Sequence, residues 1–392
     1  MSSPQHRWFG VGQSTAADPA VAGARAARDA LRDRPAGLLV VFASPSHSVP
    51  EMAEAVHAEA GGDVPLIGCS TSGEFSPSGR GAGVVVLALG GPGFAVSVRA
   101  VAEGQTGLRE AGASVASGLD EIDREHRVLF LLADGRSSDQ QEVVRGAYTV
   151  TGASVPLVGG CAGDDRTQTS TRHFFSPGRG VTVLTNGVVA AAIGSDAPFG
   201  IGIAHGWRKA GEPMVVTRSQ AGKIYELDGE RAVDVYLRRS GAAPELADDP
   251  AAFFAFAPVH PLGLSRRTGE DLRVIFAADP VEGSISGLAD TPEGALAWCM
   301  EGDPESLLEA TAAAAGRATE ALDGAPPLGV FVFDCCVRPL ALGEQDTDAA
   351  AAHLAKTLGD VPFGGFYSNG EIARTSGAKG MHHLTVVALA VS

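Results

Sequence analysis

Two short segments carry residue types that could recognise a small ligand. The first is Gly68-Cys69-Ser70-Thr71-Ser72-Gly73-Glu74, and the second is Phe366-Tyr367-Ser368-Asn369-Gly370-Glu371. Small residues let a ligand approach the backbone, and consecutive N–H groups with hydroxyls can cradle a carboxylate or similar anion. Glu74 adds a charge able to hold an ammonium, so the first loop suits a zwitterion such as an amino acid. The second offers the same chemistry with Phe366 and Tyr367 as an aromatic wall and Glu371 as the acid. Each loop also reads as a tight hairpin whose glutamate caps backbone donors.

Other candidates stand outside these loops. Ser70 could be a nucleophile, but the elbow Gly-x-Ser-x-Gly is incomplete because Ser72 occupies the last position. His47, His173, His205 and His260 are the possible bases of a serine hydrolase, and none lies in a telling local motif. His205-Gly206-Trp207 follows a strand-like run among glycines. The ring of His205 could bond a ligand, bind haem iron, or simply satisfy a backbone carbonyl in the core. Any haem would be held non-covalently, since Cys-x-x-Cys-His is absent. Arg338 follows Cys335-Cys336 and could fork onto a ligand carboxylate or onto a structural acid such as Asp334 or Glu371. Gly163-Asp164-Asp165 reads as a solvated turn rather than a metal site, and no phosphate-binding glycine loop occurs.

The elements that must position these residues recur along the chain. Pro65 to Gly73-Glu74, Pro261 to Gly269-Glu270 and Pro362 to Gly370-Glu371 share one spacing, and Pro156 to Asp165 keeps the proline and an acid. The prolines are 91, 105 and 101 residues apart. Apolar runs at 38–43, 128–133 and 330–333 precede helical patterns, and further runs at 84–89, 188–193 and 383–391 follow the motifs. Continuous apolar runs suit strands covered on both faces, and their alternation with amphipathic helices predicts mixed α/β layering. The expectation is two domains, 1–225 and 226–392. Each would hold two strand–helix–strand–hairpin units, four pseudo-repeats in all.

Composition narrows the partners. The chain of 392 residues carries 46 acidic against 30 basic residues, a net charge of −16, with no basic run. A polyanion would be repelled, so nucleic acid and anionic membranes are not expected partners. Five cysteines without a Cys-x-x-Cys pair argue against a disulfide framework and a thiolate zinc site. The first residues lack an apolar leader segment, and no apolar run is long enough to span a bilayer, so the expected location is cytoplasmic.

Taken in order, these motifs resemble the FIST family, whose halves are called FIST N and FIST C. Pro65-Leu-Ile-Gly-Cys-Ser-Thr-Ser-Gly-Glu74 resembles the FIST N signature, and Gly202-Ile-Ala-His-Gly-Trp207 its end. Leu227-Asp-Gly, Ala232-Val-Asp-Val-Tyr236, Phe333-Asp-Cys-Cys-Val-Arg338 and Pro362 to Glu371 are similar to FIST C. The resemblance implies a sensory protein rather than an enzyme, binding a small ligand such as an amino acid. Some FIST-like proteins are regarded as haem-based gas sensors, which keeps His205 as an alternative. With both halves placed, no output module fits in the remainder. The expected output is therefore a separately encoded partner such as a histidine kinase or cyclase.

Overall fold

The computed structural model describes residues 6–81, 83–137, 139–165, 169–266, 269–375 and 379–392. A first unit runs β1 (Trp8–Ser14), α1 (Pro19–Leu31), β2 (Ala36–Ala43), α2 (Val49–Glu59), β3 (Leu66–Ser70), β4 (Glu74–Ser76), β5 (Gly79–Gly81) and β6 (Val84–Gly90). The order returns in β7 (Phe94–Ala102), α3 (Leu108–Ala116), β8 (His126–Asp134), α4 (Gln140–Thr151), β9 (Leu157–Ala162), β10 (Arg172–Ser176), β11 (Thr182–Thr185) and β12 (Gly187–Ser195). It begins a third time at β13 (Phe199–Ala204), where an insertion intervenes.

The insertion holds β14 (Arg208–Gln220), β15 (Lys223–Leu227), β16 (Glu230–Arg231), α5 (Ala232–Arg239) and α6 (Pro250–Phe256). It continues with β17 (Leu262–Arg266), β18 (Gly269–Arg273), β19 (Ile275–Asp279), β20 (Ser284–Gly287) and β21 (Leu296–Glu301). The third unit then resumes with α7 (Pro304–Glu320), β22 (Gly329–Cys335), α8 (Arg338–Leu358), β23 (Phe363–Ser368), β24 (Glu371–Arg374), β25 (Met381–His382) and β26 (Val386–Val391).

Each unit completes another unit's sheet. The sheet β1-β6-β2-β3 is extended by β10-β11 of the second unit, and β7-β12-β8-β9 by β24-β25 of the third. The sheet β13-β26-β22-β23 is extended by β4-β5 of the first. Within each, one central pair is parallel (β2–β3, β8–β9, β22–β23). The turns that launch the exchanged strands meet one another. Ser72, Gly163 and Asn369 each stand seven residues after a motif proline. Their N–H groups donate to Tyr367 O (3.1 Å), Ser70 O (3.0 Å) and Cys161 O (3.0 Å), closing a ring of three.

The mixed α/β class read from the sequence is the one observed. The unit count differs in one place. The segment from Pro261 forms β17 and β18, an antiparallel pair inside the inserted eight-stranded sheet, and takes no part in the exchange. Glu270 there is half-buried and pairs with Lys209 at 2.7 Å, so its spacing reflects a glycine turn alone. The 225/226 division falls inside β15, and β13 pairs with β26 from the far end of the chain.

All three exchanged sheets turn a face to one shared core. Phe130 meets Phe331 and Phe333 at ring-centroid distances of 5.1 and 5.4 Å, and Phe42 meets Phe366 at 4.5 Å. Helices cover the outer faces with alanine-rich stripes. In α1 these are Ala22, Ala26, Ala27 and Ala30, and in α7 they are Ala310, Ala314, Ala315 and Ala318. Asp18 caps α1 at Val21 N (2.9 Å), and Asp303 with Ser306 forms a reciprocal box on α7.

Alanine alone does not explain how close these helices lie. A Cβ added at Gly12 of β1 would sit 2.0 Å from Ala26 O, and one at Gly202 of β13 would sit 1.9 Å from Ala314 O. Gly12→Ala must therefore push α1 off its sheet, and the expected loss is about 1–3 kcal/mol in urea unfolding. Gly37→Ala, whose nearest neighbour would be 3.8 Å away, should cost far less.

Candidate functional site

The two sequence-selected loops lie at the centre of the ring of turns, and their glutamates are fully buried. Glu74 accepts a hydrogen bond from Thr71 Oγ1 at Oε1 and from Gly83 N at Oε2 (3.1 Å). Glu371 accepts from Ser368 Oγ (2.7 Å) and, at Oε2, from Thr385 N (3.2 Å) and Oγ1 (3.0 Å). Each glutamate thus pins an exchanged strand to the start of β6 or β26. Burial pushes the Glu74 carboxyl up to about 8 and drives that of Glu371 well upward. Burial thus favours the protonated form of each, and Glu74 in particular is poorly placed to offer the expected ammonium-binding charge at neutral pH. In the second unit the matching register position is His173, opposite Cys69. It is fully buried beside the Ala133 backbone, and burial lowers its pKa to about 4.

The remaining sequence-selected residues are also committed to the framework. Cys69 and Phe366 are core side chains. Ser70 Oγ donates to Gly163 O (2.7 Å) and accepts from Arg172 N (2.9 Å), leaving it no role as a nucleophile in this state. Thr71 and Ser368 cap the glutamates, Ser72 Oγ donates to Asn369 Oδ1 (3.2 Å), and Tyr367 packs on Phe75 at 5.2 Å. Trp207 is buried and donates Nε1–H to Leu384 O (3.2 Å). His205 Nδ1 accepts from Trp207 N (3.0 Å). A neutral imidazole that bound iron through Nε2 would need its proton on Nδ1, where Trp207 already donates. Of the two fates open to Arg338, the structure shows the structural one. Its Nε donates to Asp334 (2.6 Å), and its other groups donate to His205 O, Leu307 O and Thr311 Oγ1. Asp164 is buried rather than solvated, and accepts from Thr169 N (2.6 Å) and Ser170 N (3.2 Å).

Concavity lies elsewhere. A cleft of about 610 Å³ opens between the N-terminus of α4, the segment entering β25 and β26, and one face of the inserted sheet. It sits beyond the carboxyl ends of the parallel strands β8 and β9, where α/β architectures leave room for ligands. Gln140 begins α4 and is only 6% exposed. Its Nε2 donates to Gly135 O (3.0 Å) and Asn369 O (3.3 Å), which fixes the amide orientation. Among the described residues Oε1 has no partner. A buried acceptor in that condition costs about 1–3 kcal/mol.

His383 stands beside it, nine-tenths buried and without a hydrogen bond to any described residue. Burial, with Arg273, His382 and Lys379 nearby, lowers its pKa to about 3, so the ring is neutral and offers one donor and one acceptor. These groups gather over Gly370. A Cβ there would meet Met381 Cε at 2.5 Å, Gln140 Oε1 at 2.6 Å and His383 Cε1 at 3.4 Å. Gly370 of the second sequence-selected loop therefore packs behind this wall, and neither it nor Glu371 lines the cleft.

The inserted sheet supplies the opposite wall, with Phe276 and Leu288 as its apolar part. Asp271 Oδ2 takes Arg273 at 2.9 Å, Arg266 at 3.5 Å and Lys379 in a close ion pair. Arg273 is buried and also donates to Asp290 O (2.9 and 2.7 Å) and Leu272 O (2.9 Å). Burial, reinforced by Arg266, lowers its pKa to about 10, which still leaves it charged. Gln140, Asp271, Arg273, Lys379 and His383 carry no local motif, because three distant segments bring them together. The pair His382-His383 just before the last strand was the one visible irregularity.

Among the described residues no three of His, Cys, Asp and Glu gather as a metal site would require, and no helix is long and apolar enough to cross a membrane. All five cysteines are free.

Comparison with known proteins places this geometry in a family. The uncharacterized protein Rv0628c of Mycobacterium tuberculosis is 29% identical over 393 residues, covering 96% of this chain and 97% of its own. The uncharacterized protein MJ1623 of Methanocaldococcus jannaschii is 26% identical over 58% of this chain and 48% of its own. Mb0898c of Mycobacterium bovis, also uncharacterized, is 27% identical over 58% of each. The FIST N domain matches residues 37–230 and the FIST C domain residues 232–374. With both halves matched in order over most of its length, the chain belongs to the FIST family of sensory domains in signal transduction.

Proposed function

We propose that this protein senses a small polar molecule, such as an amino acid, bound in the cleft between Gln140, His383 and the inserted sheet. The observation that carries the reading is Gln140 Oε1, a buried acceptor with no partner among the described residues, set beside the ring of His383. A ligand N–H or O–H would satisfy the acceptor, and Phe276, Leu288 and Met381 would cover an apolar part. One wall belongs to the exchanged core and the other to the inserted sheet, so a ligand touching both favours one relative placement of the two. Such a difference in affinity between states is what shifts a conformational equilibrium. In this proposal the output passes to a separate partner such as a histidine kinase or cyclase.

Calorimetric titration of the folded protein with the amino acids tests the ligand class, and a sample giving no heat with any of them would set that class aside. His383→Leu separates binding from folding. It keeps a side chain of similar bulk and breaks no hydrogen bond to a described residue, so thermal stability should change little, while affinity for the ligand found should fall about tenfold or more. Unchanged affinity would remove His383 from the site.

A further inference from the structure

We infer that the cleft takes a small carboxylic acid whose carboxylate displaces Asp271 from Arg266 and Lys379, with its N–H or O–H on Gln140 Oε1. This rests on the sensing proposal and assigns its polar contacts. Three cations converge on the single oxygen Oδ2 of Asp271. Three cations thus share one carboxylate at this point of a chain of net charge −16, although Asp139 and Asp290 balance the wall as a whole. Of the other charged groups in the wall, Arg145 is paired with Glu142 at 2.5 Å, and Asp139 and Asp290 are acids. Arg266 and Lys379 therefore remain as the cations free to exchange one carboxylate for another.

Their side chains are 40% and 47% exposed, whereas Arg273 is 5% exposed and held by two backbone carbonyls besides Asp271. Arg266 ends β17 of the inserted sheet, and Lys379 precedes β25 of the core. Asp271 bridges them now through Oδ2 alone, and a ligand carboxylate could give each cation an oxygen of its own. Asp271 thus acts as an internal competitor that holds the empty site together, and ligand replaces it in the tie between the two bodies.

The test is calorimetric titration of the full chain with the twenty L-amino acids, the corresponding 2-hydroxy acids, their primary amides and inorganic phosphate. Acids should bind, and their amides should bind about tenfold more weakly or not at all. Asp271→Asn should tighten acid binding, because the competitor is gone while an amide oxygen remains for Arg273. The double variant Arg266→Met with Lys379→Met should weaken it by about tenfold or more. Amides binding as well as acids, with the loss on His383→Leu intact, would overturn the carboxylate assignment and leave the sensing site standing. Phosphate binding where no acid does would replace the carboxylate by another anion. No binding of any compound to the wild type or to Asp271→Asn would sink both proposals.

Discussion

Glu74→Gln should flatten the dependence of stability on pH expected of the wild-type protein between about pH 5 and 8. The buried carboxyl titrates near 8 in the fold against an ordinary value of 4.5. Between those values the folded state keeps a proton that the unfolded state has lost. Its contribution is complete below the unfolded pKa and disappears as pH rises through the folded one. The full swing is on the order of 4–5 kcal/mol, with Glu371 adding a term of the same sign. His173 and His383, both lowered by burial, act in the opposite direction below their ordinary value of 6.5, so the difference between wild type and variant isolates Glu74.

Glutamine is the right replacement because it mimics the protonated acid. Thr71 Oγ1 lies 3.4 Å from Ala43 O and can donate there while accepting from the amide, and Gly83 N can donate to the amide oxygen. Glu74→Ala instead leaves those groups unmet and should cost about 1–3 kcal/mol or more at any pH. A Glu74→Gln protein with the wild-type slope in its melting temperature would show that this carboxyl ionises normally.

Arg338→Met should be the most destabilising single change outside the apolar core. The guanidinium is fully buried and ties the end of β22 to α7 and to the turn at His205. Removing it strands Asp334, also buried, whose pKa burial already raises. Breaking such a pair costs about 3–5 kcal/mol. Adding Asp334→Asn to the variant should return a large part of the loss, since it removes the uncompensated charge. If denaturant unfolding shows Arg338→Met within about 1 kcal/mol of wild type, the framework role given to this residue is wrong.

Much of the fold could be read from the chain, for identifiable reasons. Buried strands such as 84–89 and 128–133 are continuous apolar runs, and the shared Pro-to-Gly spacing reflects turns that meet in a ring. Pro261 misled because a glycine turn needs no more than local geometry, and its glutamate stayed half-buried in an ion pair with Lys209. A better marker of the units was present at their starts. Phe9-Gly10-Val11-Gly12 and Phe199-Gly200-Ile201-Gly202 open the first and third, with Phe94-Ala95-Val96-Ser97 opening the second. These glycines are there because helix backbone lies against them.

The loop chemistry was read with the wrong environment. Glutamate after glycine looked like an exposed charge, but strand exchange buries it, and burial turns a carboxylate into a neutral cap. The cleft was illegible for a different cause. Gln140, Asp271 and His383 are far apart in sequence, and only the exchange of β24-β25 onto the second sheet, with the insertion laid across it, makes them neighbours. No spacing within a segment encodes that meeting.

Hydrogen exchange on the full chain, with and without an acid that calorimetry shows to bind, asks most directly where the ligand sits. Slowed exchange should fall in 139–145, 271–276, 287–292 and 379–383, with 69–74 unchanged. Protection confined to 69–74 and 366–371, with none along the inserted sheet, would contradict a cleft site and return binding to the buried turns.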